Sequence, residues 1–179
     1  MWLNEFRGKP TKDNRLPRVS KCVGRKQDGR LMACQVCDFL EGGFDYKNRS
    51  VREILAKDDD WLESTHDYIQ WLFPLDVKSF SNRNAPVLMI DDILRISESE
   101  LAQKHIQACV KRMKEFWVTN DYWIQRYNHN HLRITRVIKS LRLLSGAMAA
   151  EEFKGWLYYH LGLRIDEIDD KARRFWEKA

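Results

Sequence analysis

Two histidines and two asparagines alternate in Asn128-His129-Asn130-His131, and two arginines follow at Arg133 and Arg136. Residues of these types bind metals, hold anions or move protons. A zinc ion needs three or four ligands. On a helix, side chains two apart point about 200° away from each other, so one helix cannot chelate through both histidines. Among nearby residues the natural third ligand is His66, which lies on another segment. The letters His-Asn-His also suggest a nuclease. In that nuclease family, however, the residues are spread over a ββα metal finger rather than gathered at a helix start. Asparagine is a good helix N-cap, so Asn128 or Asn130 has a structural use. An Asn/His/Arg cluster at a helix start also suits an anion, with backbone N–H groups, imidazoles and guanidinium forks as donors. Pairing of these groups with acids such as Asp58–Asp60 or Asp67 is the simpler reading.

A second segment could do chemistry with it. In Asp60–Pro74, "DWLESTHDYIQWLFP", the residues Trp61, Leu62, Thr65, Ile69, Leu72 and Phe73 share one helical face, and Tyr68 and Trp71 widen it. A helix so broadly apolar is central and buried. His66 and Gln70 fall one turn apart on it and read as a buried polar pair that fixes packing, with a ligand site as the alternative. Cys34-x-x-Cys37 has no second pair and no βαβ surroundings, so two small buried hydrophobes are preferred to zinc or redox chemistry. The chain has no Gly-rich phosphate loop, no G-x-S-x-G and no cysteine in a nucleophile context, so no catalytic residue is assigned.

Helical periodicity positions these groups. Helices are expected at 30–40, at 50–57 with a Ser50/Glu53 capping box, and at 60–73 opened by Asp58–Asp60 and ended by Pro74. Residues 74–90 read as a loop, followed by a short turn at Asp91 or Asp92. A Ser97–Glu100 capping box opens a long helix to Trp117, whose apolar half holds Leu101, Ala102, Ile106, Cys109, Val110, Met113, Phe116 and Trp117. His105 sits in that half as a satisfied core histidine. Tyr122–Arg126 is a helix or turn. Helices at 130–145, closed by Gly146, at 148–161, closed by Gly162, and at 165–178 complete the chain. In the 130–145 helix Ile134, Val137, Ile138, Leu141 and Leu144 form the core stripe. Arg133, Arg136, Lys139 and Arg142 are expected to give it a basic outer surface. The fold class is all-α, a single irregular bundle of about six to eight helices.

The chain has 179 residues, 44% hydrophobic and 32% charged, which is enough for one domain with a core. Its seven tryptophans point to large aromatic anchors. Residues 1–30 hold nine Lys/Arg against three acids, more than the whole chain's excess of +5. The expected division is a basic, partly flexible arm at 1–29 and an all-α domain at 30–179. Such an arm suits nucleic acid or an anionic surface, although a solvated terminus is the plainer reading. No run of 18 apolar residues offers a transmembrane helix, and no secretory h-region opens the chain, so a cytoplasmic protein is expected.

"THDYIQWLFPL" and "HNHLRITRVIKSLRLL", some 60 residues apart, resemble the conserved region of the opioid growth factor receptor family, with the motifs at Tyr68–Pro74 and His129–Arg136. "REILAKDDDWLE" and "AEEFKGWLYYHL" resemble its flanking segments, so the likeness covers about residues 30–165. The resemblance implies a receptor-related binding domain. Vertebrate members are described as nuclear-envelope-associated receptors for an enkephalin peptide, with acidic and repeat-rich regions beyond the domain. The present chain has no room for those regions, which suggests a stand-alone member. The family carries no catalytic residues over. The expected function is therefore non-enzymatic binding of a peptide or anionic small ligand, without cofactor or metal. A groove between the 60–73 helix and the start of the 130–145 helix would hold it, lined by His66, Gln70, Trp71, His129, Asn130, His131, Arg133 and Arg136. The alternatives are nucleic-acid or anionic-surface binding through the arm and the 130–145 helix, and His/Arg acid–base catalysis on an anionic substrate.

Overall fold

Side-chain caps decide where most of the helices begin. A computed structural model describes residues 34–80 and 82–179, so the expected arm at 1–29 and its boundary lie outside the described residues. Cys34 Sγ accepts the Cys37 N–H at the start of α1 (Gln35–Leu40). Ser50 and Glu53 close the anticipated capping box on α2 (Val51–Leu55). Asp58 accepts the Trp61 N–H at 2.8 Å to open α3 (Asp59–Ser64). The helix expected over 60–73 is broken, because α3 stops at Ser64 and a separate four-residue α4 (Ile69–Leu72) follows an extended Thr65.

Within the expected loop at 74–90, Leu75 and Val87 meet in an isolated parallel bridge. The short turn at Asp91 is in fact a nine-residue helix, α5 (Ile90–Glu98). Ser97 therefore ends a helix rather than starting one. Its neighbour Ser99 caps α6 (Glu100–Thr119), accepting the Ala102 N–H at 3.3 Å. After a 3-10 turn at Asp121–Trp123 come α7 (Asn130–Leu144) and α8 (Ala147–Leu161), separated by Gly146 at φ +92°, a conformation L side chains rarely adopt. The final helix begins later than expected. A 3-10 segment at Gly162–Glu167 precedes α9 (Asp170–Lys178), which Asp169 caps. The described residues thus form an all-α bundle of nine α-helices, with none long and apolar enough to cross a membrane.

Two helices organise the bundle. The 20 residues of α6, about 30 Å long, carry α1, α2 and α5, while α7 carries α8, α9 and α5. Trp71, Trp117, Trp123 and Trp176 are all buried, so the tryptophans act as core anchors. The last three donate their indole N–H groups, to Asn130 Oδ1 (3.1 Å), Trp117 O (2.9 Å) and His131 O (3.1 Å). His105 is half-buried, and its Nδ1–H donates to Leu40 O at 2.7 Å, tying α6 to the end of α1. Leu101, expected inside, is exposed in the first turn of α6.

Candidate functional site

The break in the 60–73 segment has a physical cause on α7. Ending α3 at Ser64 leaves carbonyls without intrahelical donors. Arg133 Nη2 donates to Glu63 O at 3.0 Å and Thr65 O at 3.1 Å, and the Tyr68 hydroxyl donates to Leu62 O at 3.0 Å. One turn further along α7, Arg136 Nη1 donates to Phe73 O at 3.3 Å, at the end of α4. Each guanidinium, being planar and many-handed, suits a group of carbonyls. Arg133 and Arg136 are only 4% and 5% exposed. The basic outer surface expected for this helix is therefore not formed: two of its four cations cap the helices opposite, and only Arg142 is exposed. A nucleic-acid face on α7 loses its basis with them.

The start of α7 divides into separate tasks. Asn128 Oδ1 accepts the Asn130 N–H at 2.8 Å, and Asn128 O accepts the His131 N–H, so these N–H groups are engaged and make no anion cradle. Asn130 is fully buried. Its Oδ1 accepts from Trp117 Nε1 and Arg133 Nη1, and its Nδ2 donates to Glu63 Oε2 at 3.1 Å. His131 turns toward Trp123 and Trp176, and its Nε2–H donates to Trp123 O at 3.0 Å. Burial lowers its pKa, against the pull of that carbonyl. His129 takes the other direction, with its ring 5.2 Å from the ring of His66. Its Nε2 is shielded from solvent and lies 3.4 Å from Glu63 Oε1 without reaching hydrogen-bond geometry. Burial first, then the Arg133 charge, pushes its pKa down to about 4 against the opposing pull of Glu63, so the ring is neutral at pH 7.

Two cavities meet at His66, His129 and Leu132. The larger, about 460 Å³, lies between α7 and α9, where Tyr127, Leu132, Ala172 and Phe175 supply apolar wall and Arg126, Lys171 and Asp169 supply charge. The smaller, about 410 Å³, is bordered by Lys47, Asp67, Gln70, Asn82, Arg133 and Arg136, three cations to one carboxylate. Gln70 is buried there and accepts from Asn82 Nδ2 at 3.4 Å. The break at Thr65 means that His66 and Gln70 do not share a helix, yet both border this cavity. Six of the eight sequence-designated residues border one or both cavities. Asn130 borders neither. Trp71 lies elsewhere, edge-on to Phe39 at 5.6 Å and stacked with Tyr46 at 5.9 Å, beside a third cavity. Lys47, Asn82, Lys171 and Phe175 come from loops and α9, and nothing in their own sequence neighbourhood marks them. Tyr127, an exposed aromatic adjoining the histidine motif, was the one legible addition. Burial raises the pKa of Cys34, Cys37 and Cys109, the opposite of what a thiol nucleophile requires.

The chain matches the opioid growth factor receptor conserved region over residues 43–121. It is 32% identical over 124 residues to opioid growth factor receptor-like protein 1 of Mus musculus, covering 58% of this chain and 26% of the relative, with the same figures for the Rattus norvegicus protein. The Xenopus tropicalis protein of that name is 31% identical over 125 residues, covering 59% and 23%. The chain thus spans about a quarter of the length of these curated relatives. No solved structure matches it significantly.

Proposed function

We propose that the domain is a binding module for a short peptide, or a comparable amphipathic ligand, that carries a free carboxylate. The supporting observation is the pair of cavities joined at His66, His129 and Leu132. The larger has the apolar wall a hydrophobic side chain needs, and the smaller has the cation excess a carboxylate needs. Relatives named as receptor-like proteins fit a binding role. Isothermal titration with short peptides ending in leucine or phenylalanine, as free acids and as amides, tests it. The acids should bind, and the amides should bind at least about tenfold more weakly, the size of one charge-assisted contact. Leu132→Trp, which fills the junction, should abolish binding while the chain stays folded. Equal affinity for acid and amide, or binding indifferent to Leu132→Trp, overturns the proposal.

One observation favours a second reading. His129, neutral at pH 7 beside Glu63 at a cavity edge, is in the unprotonated form a general base needs, while its pKa of about 4 makes it a weak one. Turnover of an anionic ester that His129→Gln removes would support it, and turnover unaffected by that change would refute it.

A further inference from the structure

A separate cluster lies where the start of α1 meets the first turn of α5, and neither of the two cavities at the cleft includes it. Cys34 and Cys37 stand three apart at the start of α1. Asp92 comes from the first turn of α5, 55 residues beyond Cys37. One donor atom from each of the three lies within 4.8 Å of the others, the single such group of His, Cys and acid side chains among the described residues. Cys37 Sγ is 3.8 Å from Asp92 Oδ1. Tetrahedral zinc, with Zn–S bonds of about 2.3 Å and Zn–O bonds of about 2.0–2.2 Å, holds such atoms roughly 3.5–3.8 Å apart. Asp92 is already oriented, since its Oδ2 accepts the Met89 N–H at 2.8 Å and leaves Oδ1 toward the thiol. The neighbouring cation Arg95 is occupied by Asp38 and Glu41. A cavity of about 550 Å³ opens beside Cys34 and Asp92, with Arg83 and Asn84 on its wall.

We propose that Cys34, Cys37 and Asp92 form a binding site for one thiophilic divalent cation of the zinc type, with its fourth position open to water in this cavity. Two sulfurs and one oxygen select a borderline-soft ion over calcium or magnesium. On binding, the ion displaces both thiol protons, which pass to buffer. The C-x-x-C spacing alone did not point here, because its third ligand is remote in sequence. Without an ion, the same residues serve as small packed side chains, with a weak S–H contact from Cys37 to Asp92.

Cobalt(II) is the probe, titrated into the whole chain kept reduced with a phosphine. The expected result is one equivalent bound, with sulfur-to-cobalt charge-transfer absorption, release of two protons and displacement of the colour by zinc. Cys34→Ser and Cys37→Ser should each remove about half of the charge-transfer intensity. Asp92→Asn, whose side-chain oxygen still accepts the Met89 N–H, should weaken binding at least about tenfold. Circular dichroism checks that each variant is folded. Should Asp92→Asn unfold, Cys34→Ser at its half-buried position carries the test alone. Absence of charge-transfer absorption with excess cobalt overturns the site, as does binding equally tight in a folded Asp92→Asn or Cys34→Ser chain.

Discussion

Replacing Arg133 with methionine removes a cap rather than a surface charge, and its cost can be worked from the contacts. The guanidinium supplies two hydrogen bonds to the carbonyls of Glu63 and Thr65, a third to Asn130 Oδ1, an approach of 3.6 Å to Glu63 Oε2, and a position 5.7 Å above the Tyr68 ring. Methionine keeps most of the buried volume and none of the donors. Each orphaned acceptor costs about 1–3 kcal/mol if no water replaces the lost donor. Thr65 and Glu63 are half-buried, so water recovers part of this. The net loss should be roughly 3 kcal/mol, at the low end for breaking a buried charged group's contacts. For a chain of this size that corresponds to a fall of about 6–12 °C in Tm. Arg133→Lys should recover only about half, because one ammonium cannot span both carbonyls and Asn130. Arg142→Met is the control. That arginine is exposed and pairs with Glu151 at 2.6 Å, a surface contact of less than about 1 kcal/mol. Urea unfolding with an unchanged slope gives the numbers. A loss at Arg133→Met no larger than at Arg142→Met, or a fully restored Arg133→Lys, would refute the capping role.

The remaining predictions concern pH and glycine. His129 has a folded pKa of about 4 against an ordinary 6.5, so between these values the unfolded chain binds more protons. Its contribution is complete above pH 6.5 and is lost as pH falls toward 4, about 1–2 kcal/mol after allowance for solvent screening; His131, lowered in the same direction, adds to the slope. Unfolding measured from pH 7.5 to 4 should show this fall, and His129→Gln should flatten it; an unchanged profile counts against the buried neutral ring. Two glycines should respond oppositely to alanine. At Gly43 a Cβ would sit 2.8 Å from the Asp38 carbonyl oxygen, so Gly43→Ala should cost about 1–3 kcal/mol. At Gly155 on α8 nothing lies within 4 Å, so Gly155→Ala should gain about 0.5–1 kcal/mol in the same unfolding assay.

What the sequence made legible follows the range over which each signal acts. The Ser50/Glu53 capping box, the Asp58 cap and the stops at Gly146 and Gly162 are local, and all four stand in the structure. The break at Thr65 is not local. A periodic apolar pattern running through Asp60–Phe73 reads as one helix, because the donors that end it sit almost 70 residues later on Arg133. The same remoteness reversed the reading of α7, since polarity at Arg133 and Arg136 is the mark of an exposed face only when no carbonyl cluster lies opposite. At the cleft, His66, Gln70, His129 and His131 could be designated from residue type. Lys47, Asn82, Lys171 and Phe175 could not, since chain folding alone brings them there.

This mutual dependence explains why the two motifs that carry the family resemblance act as one unit. The Tyr-Ile-Gln-Trp-Leu-Phe segment forms a single helical turn that no isolated peptide would hold. It persists because Arg136 takes up the carbonyl at its end, while Arg133 and the Tyr68 hydroxyl take up those left by α3. The Arg-Ile-Thr-Arg segment in turn tolerates two buried guanidinium groups only because those carbonyls await them. The pair is therefore a fold determinant first. It holds His66 and His129 ring to ring at the junction of the two cavities. On the binding role proposed above, ligand choice would fall to residues outside the motifs: Tyr127 and Phe175 on the apolar side, Lys47 and Asn82 on the charged side. Substituting these four should change what binds with little effect on stability, whereas substituting the arginines should lower stability, by the amount given above for Arg133.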